Sequence, residues 1–241
     1  MQVRRFSTAA QVGQAAAALI GAQLLRKPDS VLGLATGSSP IPTYNELVRL
    51  YENGVLDFSQ MISYNLDEYV GIDVNHECSY HCFMQDHLFS HVNVRPEAVH
   101  VPDGNAADLS AAAAAYDEAI RAAGGIDVQL LGIGRNGHIG FNEPADAFTY
   151  GCHVVDLTES TIDANKRFFD SADAVPRQAV SLGIGSIMAA KQVLLIATGS
   201  DKADAVAAAV HGDIDPHVPA SILQAHQNVI FLLDEAAAAK L

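Results

Sequence analysis

The chain has 241 residues, 49% of them hydrophobic and only 17% charged, a balance that excludes a disordered chain and supplies one large core. Fourteen Lys and Arg against 28 Asp and Glu give a net charge of -14, a field that repels nucleic acid and anionic lipid, so neither is expected as a partner. Three cysteines, Cys78, Cys82 and Cys152, cannot pair completely and are too few for a disulfide scaffold. The first residues lack the apolar block and small-residue cleavage site of a signal peptide, and no run of about 18 apolar residues occurs. A soluble, reduced, cytoplasmic protein without a membrane partner is the expectation.

In chain order, apolar patterning predicts a helix over 9–27, a strand at 31–35, a helix over 42–53 and a strand at 61–66. A helix over 108–123 and strands at 128–133, 153–157 and 193–197 follow, then a helix over 202–211 and a strand at 229–233. The strand runs are rich in Val, Ile and Leu and show little polar alternation, which suits strands covered on both faces in a mainly parallel sheet with crossover helices. No Pro/Ser-rich linker or composition break divides the chain, so 1–241 is read as a single α/β domain.

Four of these strands end in polar chemistry, and in open parallel sheets ligands lie outside the carboxyl ends of the strands. Thr36-Gly37-Ser38-Ser39, between a strand and a helix, suits an anion: glycine admits close approach, hydroxyls donate, and a helix N-terminus presents free N–H groups. The competing reading is an ordinary turn whose Ser caps the helix. Lys202, in Thr198-Gly-Ser-Asp-Lys202, repeats that design after another strand and adds a point charge.

Asp67-Glu68 ends the 61–66 run. A partly desolvated carboxylate there is a candidate general base, and Glu68 is assigned a capping or supporting role. Gly132-Ile-Gly-Arg-Asn-Gly137 matches a dinucleotide fingerprint, but His138-Ile-Gly-Phe-Asn-Glu-Pro144 follows where a helix should open, so no nucleotide cofactor is expected. That loop instead offers Asn136, His138 and Glu143, an imidazole with a carboxylate able to orient it. His76, Cys78, His81, Cys82, His87 and His91 fit no tetrahedral ligand spacing and are read as a helical segment with core cysteines and surface histidines, not a metal site.

Ser63-Tyr-Asn-Leu-Asp-Glu-Tyr-Val-Gly71, the 131–144 segment, Asn165-Lys-Arg-Phe-Phe-Asp170, the Thr-Gly-Ser turn and Pro219-Ala-Ser-Ile-Leu-Gln-Ala-His226 together resemble the glucosamine-6-phosphate deaminase family. The resemblance runs in order from about residue 30 to 234. It implies a modified doubly wound, Rossmann-like sheet with helices on both faces. It also implies conversion of glucosamine 6-phosphate and water to fructose 6-phosphate and ammonia, without an organic cofactor. By position it gives Asp67 the enolisation, His138 the ring-opening proton shuttle, and Glu143 and Asn136 the support of His138. The phosphate falls to residues 36–39, Arg167 and Lys202, and the 147–175 segment to a lid. Asn136 stands where many relatives carry Asp, and an amide holds geometry but no charge. Asp146, His153 and Val155 stand where some hexameric relatives bind an activating acetylated sugar phosphate through hydroxyl and basic residues, so a monomer or small homo-oligomer is expected. A sister activity, 6-phosphogluconolactonase or sugar-phosphate isomerase, and a non-catalytic sugar-phosphate sensor are the alternatives.

Overall fold

A computed structural model describes residues 1–169, 171 and 174–241. In chain order the elements are β1 (Gln2–Phe6), α1 (Ala9–Arg26), β2 (Val31–Leu34), α2 (Ile41–Glu52), β3 (Ile62–Asn65), β4 (Asp67–Tyr69), α3 (Tyr80–His87), β5 (Val99–His100), α4 (Leu109–Ala122) and β6 (Val128–Leu131). There follow β7 (His153–Asp156), α5 (Glu159–Asn165), β8 (Gln178–Ser181), α6 (Ile184–Met188), β9 (Gln192–Ala197), α7 (Ala203–His211) and β10 (Val229–Asp234).

Seven strands form one wholly parallel sheet in the order β1-β10-β9-β6-β2-β3-β5. From β2 the chain works outward through β3 to β5, then returns to the other side of β2 with β6 and works outward again. The order therefore reverses between β2 and β6, and the crevice beyond their carboxyl ends is where such sheets take ligands. Each face carries its own core. Val12, Ile20, Leu47 and Met84 of α1 to α3 pack on Leu32, Leu34, Val128 and Leu130, while Ile120, Ile187 and Val206 of α4, α6 and α7 pack on Val31, Leu131, Leu195 and Phe231. Alternate residues of each strand thus point into opposite cores, which is why the runs read as continuously apolar.

The amino ends of the strands are tied by Asp127. Its carboxylate accepts from the Val31 N–H at 2.8 Å and from the Lys27 and Lys191 ammonium groups at 2.6 and 2.7 Å. Burial opposes the charge, but these donors outweigh it and hold the carboxyl below its usual range. The opposite, carboxyl edge is left to loops.

Two strand readings need correction. The 153–157 run does not join the parallel sheet: β7 pairs antiparallel with β8, which pairs antiparallel with β4, in a separate three-stranded sheet. Its residues are half-exposed, so it is not covered on both faces. β1 was not foreseen, because an edge strand reading Gln-Val-Arg-Arg-Phe buries little and carries a weak period-2 signal. The two sheets are joined through Leu66, since its N–H donates to Leu34 O at 3.0 Å and its carbonyl accepts from the Leu182 N–H at 2.8 Å. The 76–91 segment is helical over α3 as read, but Cys78 and Cys82 are half-buried rather than core. Among the described residues no cluster of His, Cys, Asp or Glu has metal-site geometry, and no helix is long and apolar enough to cross a membrane.

Candidate active site

A cavity of about 280 Å³ opens at the carboxyl edge of the parallel sheet. It is lined by Thr36–Ser39 after β2, Asp67 after β3, residues 132–138 after β6, Thr198, Asp201 and Lys202 after β9, and Thr161, Asn165 and Arg167 from α5 and the turn behind it. All ten residues singled out from the sequence converge here. Nine line the cavity, and Glu143 stands behind the His138 ring.

The 36–39 turn is built as an anion cradle. Gly37 has φ +89°, a conformation that L side chains rarely adopt, and the N–H groups of Gly37, Ser38 and Ser39 donate to no acceptor among the described residues. The capping alternative fails, because the residue before α2 is Pro40 and no side chain caps the helix. Free N–H groups at a twelve-residue helix's N-terminus are therefore left for a ligand. Arg167 donates to Ser38 Oγ at 3.0 Å, bringing its guanidinium over the turn. Lys202 faces the same end. Burial lowers its pKa, Asp201 opposes the shift, and the nearby Arg135 and Arg167 charges add to it.

Asp67, lining the same cavity, is 6% exposed, and its carboxylate takes no hydrogen bond from any described residue. Burial first, and the Glu68 charge second, push its pKa up to about 8. A carboxyl so placed can hold or release a proton near neutral pH.

The imidazole of His138 lines the same cavity. His138 Nδ1 is 3.4 Å from Glu143 Oε2, and Thr161 Oγ1 lies 3.5 Å from the same nitrogen. Asn136 ties the group together: its Nδ2 donates to Glu143 Oε2 at 2.7 Å and its Oδ1 accepts from the His138 N–H at 3.2 Å. Thr161 also donates to Glu143 Oε1. Burial works against ionisation of Glu143, but its bonds to His138, Thr161 and Asn136 prevail and hold the carboxyl below its usual range. An ionised carboxylate only accepts, so it selects the tautomer with the proton on Nδ1 and leaves Nε2, which has no partner among the described residues, to accept one. The ring lies so close over Gly134 that a Cβ there would fall 2.4 Å from His138 Cε1.

Sequence reasoning missed Thr161, Tyr80, Asp201 and Arg135. Thr161 is brought in by α5, whose seven residues carry no usable periodicity. Arg135 could have been found by the argument that found Lys202, a cation on a strand-end loop of an acidic chain. In the expected lid, 147–175, the structure places β7, α5 and the turn bearing Arg167; residues 170, 172 and 173, and with them the end of the 165–170 motif, lie outside the described residues.

Comparison with known proteins agrees with this architecture. The family model of glucosamine-6-phosphate isomerases/6-phosphogluconolactonases matches residues 5–232. A glucosamine-6-phosphate deaminase of Clostridioides difficile is 55% identical over 94% of this chain and 91% of its own length. One of Halothermothrix orenii is 49% identical, covering 96% of each chain. The solved structure of a monomeric glucosamine-6-phosphate deaminase superposes with a TM-score of 0.98 at 43% identity, over the whole of both chains. A 6-phosphogluconolactonase from Trypanosoma brucei shares the fold, with a TM-score of 0.75 at 21% identity. The chain belongs to the family of glucosamine-6-phosphate isomerases and 6-phosphogluconolactonases.

Proposed function

We propose that this protein is a glucosamine-6-phosphate deaminase, converting glucosamine 6-phosphate and water to fructose 6-phosphate and ammonia. The observation that carries the reading is Asp67: a buried carboxyl with no hydrogen bond from the described residues, its pKa pushed up to about 8, lining one cavity with the open N–H groups of the 36–39 turn, Arg167 and Lys202. In the proposed sequence His138 Nε2 takes the anomeric hydroxyl proton and returns it to the ring oxygen, opening the pyranose. Glu143, supported by Asn136 and Thr161, stabilises the imidazolium formed on the way. Asp67 then removes the proton from C2 as the C1 carbonyl oxygen takes up a proton, giving a C1–C2 enolamine, and delivers a proton to C1 as the amino nitrogen gives one up to solvent, giving the C2 imine. Water adds to C2, the C2–N bond breaks, and ammonia leaves. The phosphate is held by the 36–39 turn, Arg167 and Lys202, and binds alike in ground and transition states. A lactonase needs no enolisation, so a base placed to take a proton from carbon favours the deaminase.

The reaction needs neither an organic cofactor nor a metal. The lid role of 147–175, a cytoplasmic setting and a monomeric state are parts of the same proposal. The monomer is supported by the near-complete superposition on a chain described as monomeric. The test is release of ammonium from glucosamine 6-phosphate, measured by a coupled assay with 6-phosphogluconolactone as the competing substrate. Lactone hydrolysis without ammonium release would overturn the assignment.

A further inference from the structure

We propose that Arg135 is a third cation of the phosphate subsite, aimed at the ligand by its ion pair with Asp201; this rests on the phosphate reading above. Arg135 sits on the loop after β6 and Asp201 on the turn after β9, so the pair bridges two adjacent strand ends of the cavity. Arg135 Nε donates to Asp201 Oδ2 at 3.0 Å, and the same oxygen lies 4.0 Å from Lys202 Nζ. One carboxylate oxygen is therefore within ion-pair reach of both cations and sets guanidinium beside ammonium.

The pair uses only the Nε–H. The two terminal nitrogens of Arg135, with four N–H donors in a planar fork, bond no group among the described residues, and Arg135 is among the residues that line the cavity with Arg167 and the 36–39 turn. A guanidinium fixed through Nε presents those donors in the geometry that matches two oxygens of a phosphate. The other charged group that feels Arg135 is Asp163 of α5, whose carboxylate is held low mainly by Lys166, with Arg135 a minor contributor. Asp163 is bonded to Lys166 at 2.5 Å, so it leaves the Arg135 fork unclaimed.

The experiment is calorimetric titration of the full-length protein with inorganic phosphate at fixed ionic strength. It uses the wild type, Arg135→Ala, Arg135→Gln and a control, Arg121→Ala. Arg121 is also an exposed cation, paired with Glu118 on α4 and away from the cavity. The expected result is a Kd weakened about tenfold in both Arg135 variants, as for the loss of charge-assisted hydrogen bonds, and within about twofold of wild type in the control. KM for glucosamine 6-phosphate should rise in parallel. Thermal unfolding midpoints equal to wild type establish that the variants fold, and Arg135→Gln keeps a polar side chain should the truncation unsettle the loop. Wild-type phosphate affinity in both Arg135 variants would overturn the inference while leaving the subsite intact. Equal weakening in Arg121→Ala would overturn it too, because net charge alone would then account for the loss. Absence of phosphate binding to the wild type would overturn the subsite reading itself, and this inference with it.

Discussion

Asp67 and Glu68 are consecutive, both buried, and bonded in opposite ways. The Glu68 carboxylate accepts from the N–H groups of Tyr69 at 2.9 Å, Tyr80 at 3.0 Å and His81 at 3.1 Å, so it caps α3 from outside the helix. Asp67 accepts nothing from the described residues and faces the cavity. Strand alternation makes the division, because neighbouring β4 side chains leave opposite faces of the small sheet. One carboxylate is spent on structure, and the other is left reactive.

Asp67→Asn should lower kcat by at least about 10²-fold, the usual contribution of a general base, while the affinity for substrate stays close to that of the wild type. The direct assay is exchange of the C2 proton of the substrate into deuterated solvent, followed by NMR. Exchange at the wild-type rate in the variant would remove Asp67 from the mechanism.

Glu68→Gln removes the second cause of the raised Asp67 pKa. A base must be ionised to act, so kcat/KM should climb with pH through the Asp67 titration near 8, and that ascending limb should move to lower pH in the variant. The variant also loses a cap bond to a backbone N–H, at about 1–3 kcal/mol of stability. An ascending limb that stays in place would show that the two carboxylates are not electrostatically coupled.

The same burial makes Asp67 a stability liability at high pH. Its folded pKa, about 8, lies above its ordinary 3.8, so between those values the folded chain holds a proton that the unfolded chain has lost. Stability then falls as pH rises through that window. Asp67→Asn cannot ionise, so above pH 8 it should exceed the wild type by about 2 kcal/mol or more, some 4–8 °C in Tm, with the gap closing toward pH 4. Parallel Tm curves for the two proteins over this range would contradict the assigned environment.

Lys202→Ala and Arg167→Ala should act chiefly on KM, by about tenfold or more, because the phosphate does not react. Arg167→Ala should also lose some kcat if the proposed lid role holds, since Arg167 links the α5 segment to Ser38. Steady-state kinetics with glucosamine 6-phosphate and with unphosphorylated glucosamine separate the effects. Equal turnover of the two sugars by the wild type would refute the anion site.

The parallel sheet, the helices on it and the strand-end chemistry were legible because each rests on local pattern: continuous apolar runs, glycine turns, and polar residues where the runs stop. Asp67, His138 and Lys202 were found that way. Arg167 was not, since nothing around Lys166-Arg167 marks it and only the resemblance pointed there. The three-stranded sheet escaped because the β4–β8 pairing joins residues over a hundred positions apart, Asp67 with Ser181, and strands of three or four residues carry little period-2 signal. Glu68 was readable as a cap, but its partners at Tyr80 and His81 could be known only from the fold.

The backbone of Leu66 has a bearing on how this molecule opens. Its N–H hangs on β2 and its carbonyl holds Leu182, so neither sheet can peel away without breaking a bond to the same residue. Native-state hydrogen exchange should therefore find the amides of Leu66 and Leu182 sharing one opening free energy and one denaturant dependence, as members of a single cooperative unit. The half-exposed β7, paired with β8, would then borrow its protection from the buried core beside it, rather than fluctuate as an appendage.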